Sequence, residues 1–117
     1  MAGGWYLQMS QRTEQVASLL VTEVSTILSR DLEAPRDSLI TIMRATVSPD
    51  LKNATLFVSV LPENKRGTTL TILKHKTSEL QRILQKRMSM KFVPRLRWEI
   101  DLTTSKYAAI DEALNNR

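Results

Sequence analysis

The sequence predicts an α+β domain in which a three-stranded sheet carries helices on one face. In two long stretches apolar residues recur every three or four positions, which is typical of amphipathic helices. In three shorter stretches they alternate with polar residues, which is typical of half-buried strands. The order helix, strand, strand, helix, strand and short helix favours two layers around one core. A chain of 117 residues has room for one such domain.

The first helix is predicted to run from Ser10, whose hydroxyl can cap its first turn, to Arg30 or Asp31. Its apolar face consists of Val16, Leu20, Val24, Ile27 and Leu28. Pro35, in the polar segment that follows, disfavours continuation of the helix. Residues 1–9 are expected to form a disordered extension or a cloning remnant, and residues 10–117 to form the domain.

A β-hairpin is predicted next. Leu39 to Val47 is rich in residues that favour extended backbone, and the second strand should run from Lys52 or Asn53 to Leu61. One face of that strand is apolar and consists of Ala54, Leu56, Val58 and Val60. The short polar segment Ser48-Pro49-Asp50 between the strands indicates a turn.

The second long helix shows its period from Thr68 onwards, and Gly67 is expected to lie in the preceding loop or at the start of the helix. Its apolar stripe consists of Leu70, Leu73, Leu80, Leu84 and Met88. Lys76, Thr77 and Ser78 interrupt this stripe, and threonine and serine side chains can bond to nearby backbone instead. We therefore expect the helix to be kinked or broken at these three residues.

Pro94 ends the helical stretch and directs the preceding residue into extended backbone. The third strand follows, with Leu96, Trp98 and Ile100 on its inner face. Thr103 or Thr104 can cap a last short helix. Met88 and Met90 are expected to fill the core.

Positive charge is concentrated in one third of the chain. The stretch from Lys65 to Arg97 has ten basic residues and a single acid, Glu79, so its charge is +9, whereas the whole chain is +5. The basic residues are Lys65, Arg66, Lys74, Lys76, Arg82, Lys86, Arg87, Lys91, Arg95 and Arg97. A solvated lysine-rich helix face is the simplest interpretation of a charge run. Because the rest of the chain has the opposite sign, contact with a polyanion such as nucleic acid is favoured here.

Several classes of chemistry lack the residues they need. The chain has no cysteine, which excludes disulfides, thiolate metal sites and a cysteine nucleophile, and His75 is its single histidine. Outside Gly3 and Gly4 the only glycine is Gly67, so neither a phosphate-binding P-loop, a dinucleotide fingerprint nor a GXXG clamp can be built. No apolar run approaches the roughly 20 residues of a membrane helix.

The remaining candidates for chemistry are weak. The carboxylates of Asp37, Asp50, Glu99 and Asp101 could pair for acid–base or Mg²⁺-dependent catalysis, but carboxylates at strand ends and in loops are commoner than catalytic pairs. We predict no catalytic residue, metal or cofactor. Trp98 and Phe57 could stack on bases, although aromatic residues in strands more often lie in the core or on the sheet surface.

Five short stretches together resemble one protein family. They are Arg12 with Val16 and Ile27-Leu28, Pro35-Arg36, Val47-Ser48-Pro49-Asp50-Leu51 with Ala54 and Val58, Leu80 with Leu84, and Val93-Pro94 with Leu96. In this order and spacing they resemble the ribosome-binding factor A family of bacterial small-subunit maturation factors. The resemblance covers roughly Ser10 to Leu114. It implies a type II KH-like fold in which an interhelical kink, commonly Ala-x-Gly, replaces the GXXG clamp.

The sequence departs from the family pattern in two places, the kink and position 81. The residues at the kink are Lys76, Thr77 and Ser78, so neither the alanine nor the glycine is kept. Gln81 stands where the family often has a basic residue.

The resemblance also implies a function. It implies a protein that binds the immature small ribosomal subunit through its ribosomal RNA, assists RNA processing and late maturation, and supports growth in the cold. We further expect a non-catalytic, cytoplasmic monomer with no membrane or small-molecule partner. The residues expected to contact phosphates are Arg36, Arg44, Lys52, Lys74, Lys76, Arg82, Lys86, Arg87, Lys91 and Arg95. The main alternative is a protein-interaction module whose basic face meets an acidic protein. A small enzyme is the second alternative, and it lacks a convincing set of catalytic residues.

Overall fold

A computed structural model describes residues 11–30 and 37–102 of the chain. Helix α1 spans Gln11–Arg30, strand β1 Leu39–Val47 and strand β2 Asn53–Leu61. A short 3₁₀ turn, Glu63–Lys65, leads into helix α2, Arg66–Arg87, and strand β3 spans Arg95–Ile100. The predicted α+β order is therefore confirmed over the described residues, and both strands of the hairpin begin and end as predicted. No helix in these two ranges is long and apolar enough to cross a membrane.

The three strands form one sheet in the order β1-β2-β3. β1 and β2 are antiparallel, with Leu39 opposite Leu61 and Val47 opposite Ala54, as the short turn between them requires. β3 lies parallel to β2, with Asn53 opposite Arg95, because α2 carries the chain back to the same end of the sheet.

The hairpin turn is closed by side chains as well as backbone. The hydroxyl of Ser48 donates to the carboxylate of Asp50 at 2.6 Å and accepts from the backbone N–H of Asn53 at 3.0 Å. The hydrogen bonds from the Ser48 hydroxyl and from the N–H of Lys52 hold the pKa of Asp50 below its usual range. Leu51 takes a left-handed backbone conformation, with φ of 60°, which is costly for a leucine.

A bulge in β1 decides which side chains face outwards. The pairing shifts between Ile42 and Arg44, so Met43 is an extra residue. Ile42 before the bulge and Val47 after it both face the core, although their separation of five positions would place them on opposite faces of a regular strand. Without the bulge, Arg44 would point into the core.

The core lies between the helices and one face of the sheet. Its fully buried side chains include Leu20 and Ile27 from α1, Leu56 and Val58 from β2, and Leu84 from α2. Met88 is buried in the same cluster and Met90 packs against it, as predicted. Because both helices pack on the same face, the molecule has two layers.

The second helix differs from the prediction in two ways. It begins at Arg66, one residue before the earliest predicted start at Gly67, which is its second residue. Lys76, Thr77 and Ser78 all lie inside one continuous helix, so the expected break between two helices is not present. The hydroxyl of Thr77 donates to the carbonyl of Leu73 at 2.8 Å, a bond that keeps this threonine compatible with the helix. A bend of the axis at these residues stays a prediction, and the last short helix and the N-terminal extension lie outside the described residues.

Candidate nucleic-acid interface

The basic stretch folds into α2, the connection after it and β3. The buried positions of α2 are Thr69, Leu73, Leu80 and Leu84. They occupy one side of the helix, so the intervening cations Lys74, Arg82 and Lys86 are exposed. Arg82 and Lys86, four residues apart, are neighbours on the helix surface, where like charges repel unless an anion lies between them.

Two further predicted contacts on α2, Lys76 and Arg87, are less available to an external ligand. Lys76 is half-buried. Arg87 donates from Nε to a carboxylate oxygen of Glu23 at 2.6 Å and thereby links α2 to α1. Nearer the start of the helix, Lys65 lies 2.8 Å from the carboxylate of Asp37. Lys74, Arg82 and Lys86 are exposed and form no ion pair within the described residues, so they are better placed for an external polyanion.

A second group of cations lies at one end of the molecule. The backbone N–H of Arg95 donates to the carbonyl of Lys52 at 2.8 Å, which places the start of β3 beside the hairpin turn. Lys91 and the first turn of α1, with Arg12, complete a concavity of about 430 Å³. We call it the end pocket; it is lined by Arg12, by residues 50–52, by residues 90–93 and by Arg95.

Two glutamines on α2 fix the backbone that leads into β3. The Gln85 amide donates to the carbonyls of Met90 at 3.1 Å and Lys91 at 2.9 Å, and its oxygen accepts from the N–H of Val93 at 3.1 Å. One turn earlier, Gln81 donates to the carbonyl of Pro94 at 2.7 Å and accepts from the N–H of Leu96 at 3.3 Å. The two side chains therefore position the segment that carries Lys91 and Arg95.

The outer face of the sheet holds the predicted contact that is farthest from the helices. The guanidinium of Arg44 lies 3.8 Å from the centroid of the Phe57 ring, and its Nε is 4.0 Å from a carboxylate oxygen of the buried Asp101. Trp98 lies in the core instead, and its indole N–H donates to the hydroxyl of Thr77 at 2.7 Å. Of the two aromatic residues considered for stacking, only Phe57 lies outside the core.

Comparison with known proteins assigns the fold to a family. The family model described as Ribosome-binding factor A matches residues 12–114. The chain belongs to this family. It is 37% identical to ribosome-binding factor A of Chlorobium phaeovibrioides over 112 residues, covering 92% of each chain. It is 36% identical to the Methylobacterium sp. protein over 110 residues, covering 92% of this chain and 79% of the relative.

Solved structures give the same fold. The crystal structure of ribosome-binding factor A from Thermus thermophilus aligns with a TM-score of 0.65 at 22% identity, covering 75% of this chain and 94% of that one. A homology model of the Thermus thermophilus protein, fitted into an electron cryo-microscopy map of a 30S complex, aligns with a TM-score of 0.61 at 18% identity, covering 78% and 97%. The type II KH-like architecture predicted from the resemblance is confirmed.

Within this ribosome-binding factor A domain, the predicted contacts fall into three groups. Lys74, Arg82 and Lys86 lie on the exposed side of α2; Lys52, Lys91 and Arg95 come together at the end pocket; Arg44 lies apart on the sheet. Lys76 and Arg87 flank the first group. Arg36 lies outside the described residues. As functional contacts, all ten stay predictions.

The candidates for catalysis are dispersed over this domain. Asp37 pairs with Lys65, Asp50 closes the hairpin turn, Glu99 lies exposed on β3 and Asp101 is buried beside Arg44. The described residues contain no group of three or more histidine, cysteine or acidic side chains that could hold a metal ion. His75 is exposed on α2.

Sequence reasoning missed three residues at this candidate interface. Phe92 lies beside the end pocket with 74% of its surface exposed, and no periodic pattern marked it because it lies in a connection. Arg12 was noted for the family resemblance alone, since it is 40 residues from Lys52 along the chain. Gln85 was hidden in the polar side of α2, although its spacing of four from Gln81 places both amides on one flank.

Proposed function

We propose that this ribosome-binding factor A domain is a non-catalytic RNA-binding factor that associates with the immature small ribosomal subunit. It assists ribosomal RNA processing and late maturation of that subunit. The observation that supports this most directly is the set of exposed cations on α2 and at the end pocket, in a member of this family. The Thermus thermophilus relative, described in a 30S complex, supports the choice of partner.

The mechanism is binding without chemistry. Lys74, Arg82 and Lys86 contact phosphates and release the counterions condensed on RNA, so the affinity falls steeply with salt. Such contacts position the protein but do not read sequence. Specificity comes from the shape of the RNA and from unpaired segments, which proteins recognise by stacking and by the edges of the bases.

The experiment is co-sedimentation of the purified protein with purified small ribosomal subunits at two salt concentrations. The variant Lys74→Glu/Arg82→Glu/Lys86→Glu should bind roughly 10- to 100-fold more weakly at low salt, because three phosphate contacts become repulsive. Its circular dichroism spectrum should be that of the wild type, since all three side chains are exposed. Cells that rely on this variant should accumulate unprocessed small-subunit RNA.

Undiminished co-sedimentation of the folded triple variant would remove the exposed side of α2 from the interface. If the wild-type protein does not sediment with subunits, but forms a complex with an acidic protein that survives nuclease treatment, the protein-interaction alternative is correct instead.

A further inference from the structure

The end pocket combines the two kinds of group that bind unpaired nucleotides. Arg12, Lys52, Lys91 and Arg95 surround it, and among the described residues that line it Asp50 is the one acid. Asp50 is engaged by the hydroxyl of Ser48 and by the N–H of Lys52. None of the four cations forms an ion pair with another residue in the described part of the chain. The pocket therefore has an excess of positive charge that is available to a ligand.

The end pocket also presents a solvent-exposed aromatic ring, that of Phe92. Phe92 is 74% exposed, the most exposed of the large apolar side chains in the described residues. The ammonium group of Lys91 lies 5.7 Å from the centroid of that ring. Leu51, Met90 and Val93 pack against the core and give the pocket an apolar floor. A flat ring beside cations is the arrangement on which bases stack while their phosphates are neutralised.

The segment that carries Phe92 is held in place on both sides. The carbonyl of Lys91 and the N–H of Val93 both bond to Gln85, so the backbone is fixed immediately before and after Phe92. The ring is therefore presented on a fixed support, which lowers the entropic cost of stacking a base on it. The pocket volume of about 430 Å³ falls in the range of sites for small ligands.

We propose that the end pocket binds an unpaired nucleotide of single-stranded RNA. The base stacks on Phe92, and the flanking phosphates contact Lys52, Lys91, Arg95 and Arg12. A paired base cannot enter such a concavity, because both its faces and its pairing edge are occupied in the duplex. The inference rests on the proposed function and specifies which form of the RNA this end of the molecule recognises.

The test measures binding of the full chain to a fluorescein-labelled eight-nucleotide oligouridylate and to a blunt RNA duplex of equal length. The wild type should bind the single strand more tightly than the duplex. Phe92→Ala should weaken single-strand binding about 5- to 100-fold, which is the range reported for the loss of one base–aromatic stack. Phe92→Trp should stay within about threefold of the wild type, because it keeps a stacking surface.

Matched controls separate stacking from other effects. Leu19→Ala removes another exposed apolar side chain, since Leu19 on α1 is 41% exposed. It should change the affinity for neither the single strand nor the duplex. Arg12→Gln should weaken single-strand binding, whereas Arg30→Gln should not, because Arg30 lies about 27 Å away along the same helix. Thermal unfolding of each variant checks that it is folded.

Three outcomes would overturn the proposal that the end pocket binds an unpaired nucleotide. They are unchanged single-strand affinity of folded Phe92→Ala, equal affinity of the wild type for duplex and single strand, and tighter binding of a poly-glutamate peptide than of RNA. Any of these outcomes rejects nucleotide binding at the end pocket. If the wild type still co-sediments with small subunits in a salt-dependent way, the proposed function is unaffected. Loss of co-sedimentation by the wild type itself would reject the proposed function.

Discussion

Gln81 shows how the hydrogen-bonding capacity of one side chain decides what it contacts, here the backbone at the start of β3. A carboxamide both donates and accepts, whereas lysine and arginine side chains only donate. Gln81 uses both capacities, on the carbonyl of Pro94 and on the N–H of Leu96. A basic residue here could not accept from Leu96. At position 81 the chain therefore has a residue that secures the start of β3.

Gln81→Leu should lower the free energy of unfolding by about 1–3 kcal/mol, the cost of leaving half-buried backbone groups without their partner. Equilibrium unfolding in urea measures it. Gln15→Leu, the same change at an exposed position of α1, is the control and should alter stability by less than about 0.5 kcal/mol. Equal effects of the two substitutions would show that the bonds of Gln81 contribute nothing to stability.

Asp37 gives a prediction about pH. The hydrogen bond and the positive charge of Lys65 hold the pKa of Asp37 below its ordinary value of 3.8. Because the pKa is lowered in the folded state, the ionised carboxylate favours folding above pH 3.8, and this contribution is lost as the pH falls through the folded-state pKa. Lys65→Met should return the pKa of Asp37 towards 3.8 in an NMR titration of the carboxyl carbons.

The internal control for that titration is Asp50. Its pKa is lowered by Ser48 and by backbone, not by Lys65, so it should stay low in Lys65→Met. An unchanged pKa of Asp37, or an equal rise of both values, would contradict the assignment.

At the scale of elements, β1 and β2 could be predicted to within one residue, because a buried face imposes a period of two on the sequence. The bulge could not be predicted, because Leu39, Met43, Ala45 and Val47 also fit a regular period of two, and only the strand pairing shows the shift after Ile42. The continuity of α2 could not be predicted. The sequence shows that the Thr77 hydroxyl can compete with helical hydrogen bonds. It does not show that this hydroxyl bonds to the Leu73 carbonyl and to the Trp98 indole, because both bonds form only in the packed helix.

The start of α2 yields a prediction at this scale. Gly67 is the second residue of the helix, and a methyl group added there would meet no atom within 4 Å. Gly67→Ala should therefore stabilise the protein by about 0.4–1 kcal/mol, since alanine loses less backbone entropy on entering a helix. Urea unfolding measures the gain. A loss of stability would show that the helix begins after residue 67.

The candidate site was predictable only where it lies on one element. The cations of α2 are close in sequence, so their exposure on one side follows from helical spacing. The end pocket is different, because Arg12, Lys52 and Lys91 come from three segments about 40 residues apart. The proximity of Lys52 and Lys91 depends on the parallel pairing of β3 with β2, and that of Arg12 on the packing of α1 against the sheet, neither of which a local pattern specifies.

For the whole molecule, the question is whether binding depends on net charge or on where the charge lies. The chain carries +5 overall, while the stretch from Lys65 to Arg97 carries +9. If only net charge mattered, neutralising any two exposed arginines or lysines would weaken binding equally. If phosphates contact α2, position decides the result, because interactions beyond about 8–10 Å are screened at physiological salt.

Two matched variants separate these cases. Arg82→Gln/Lys86→Gln removes two charges from α2, whereas Arg30→Gln/Arg97→Gln removes two from the end of α1 and the outer face of the sheet, all four side chains being exposed. The first should reduce the slope of log affinity for small subunits against log salt by about 2, one for each lost phosphate contact, and the second should leave it unchanged. Co-sedimentation at four or more salt concentrations gives both slopes. Equal slopes for the two variants would mean that the basic excess acts only as a diffuse field, and that α2 makes no specific contact with RNA.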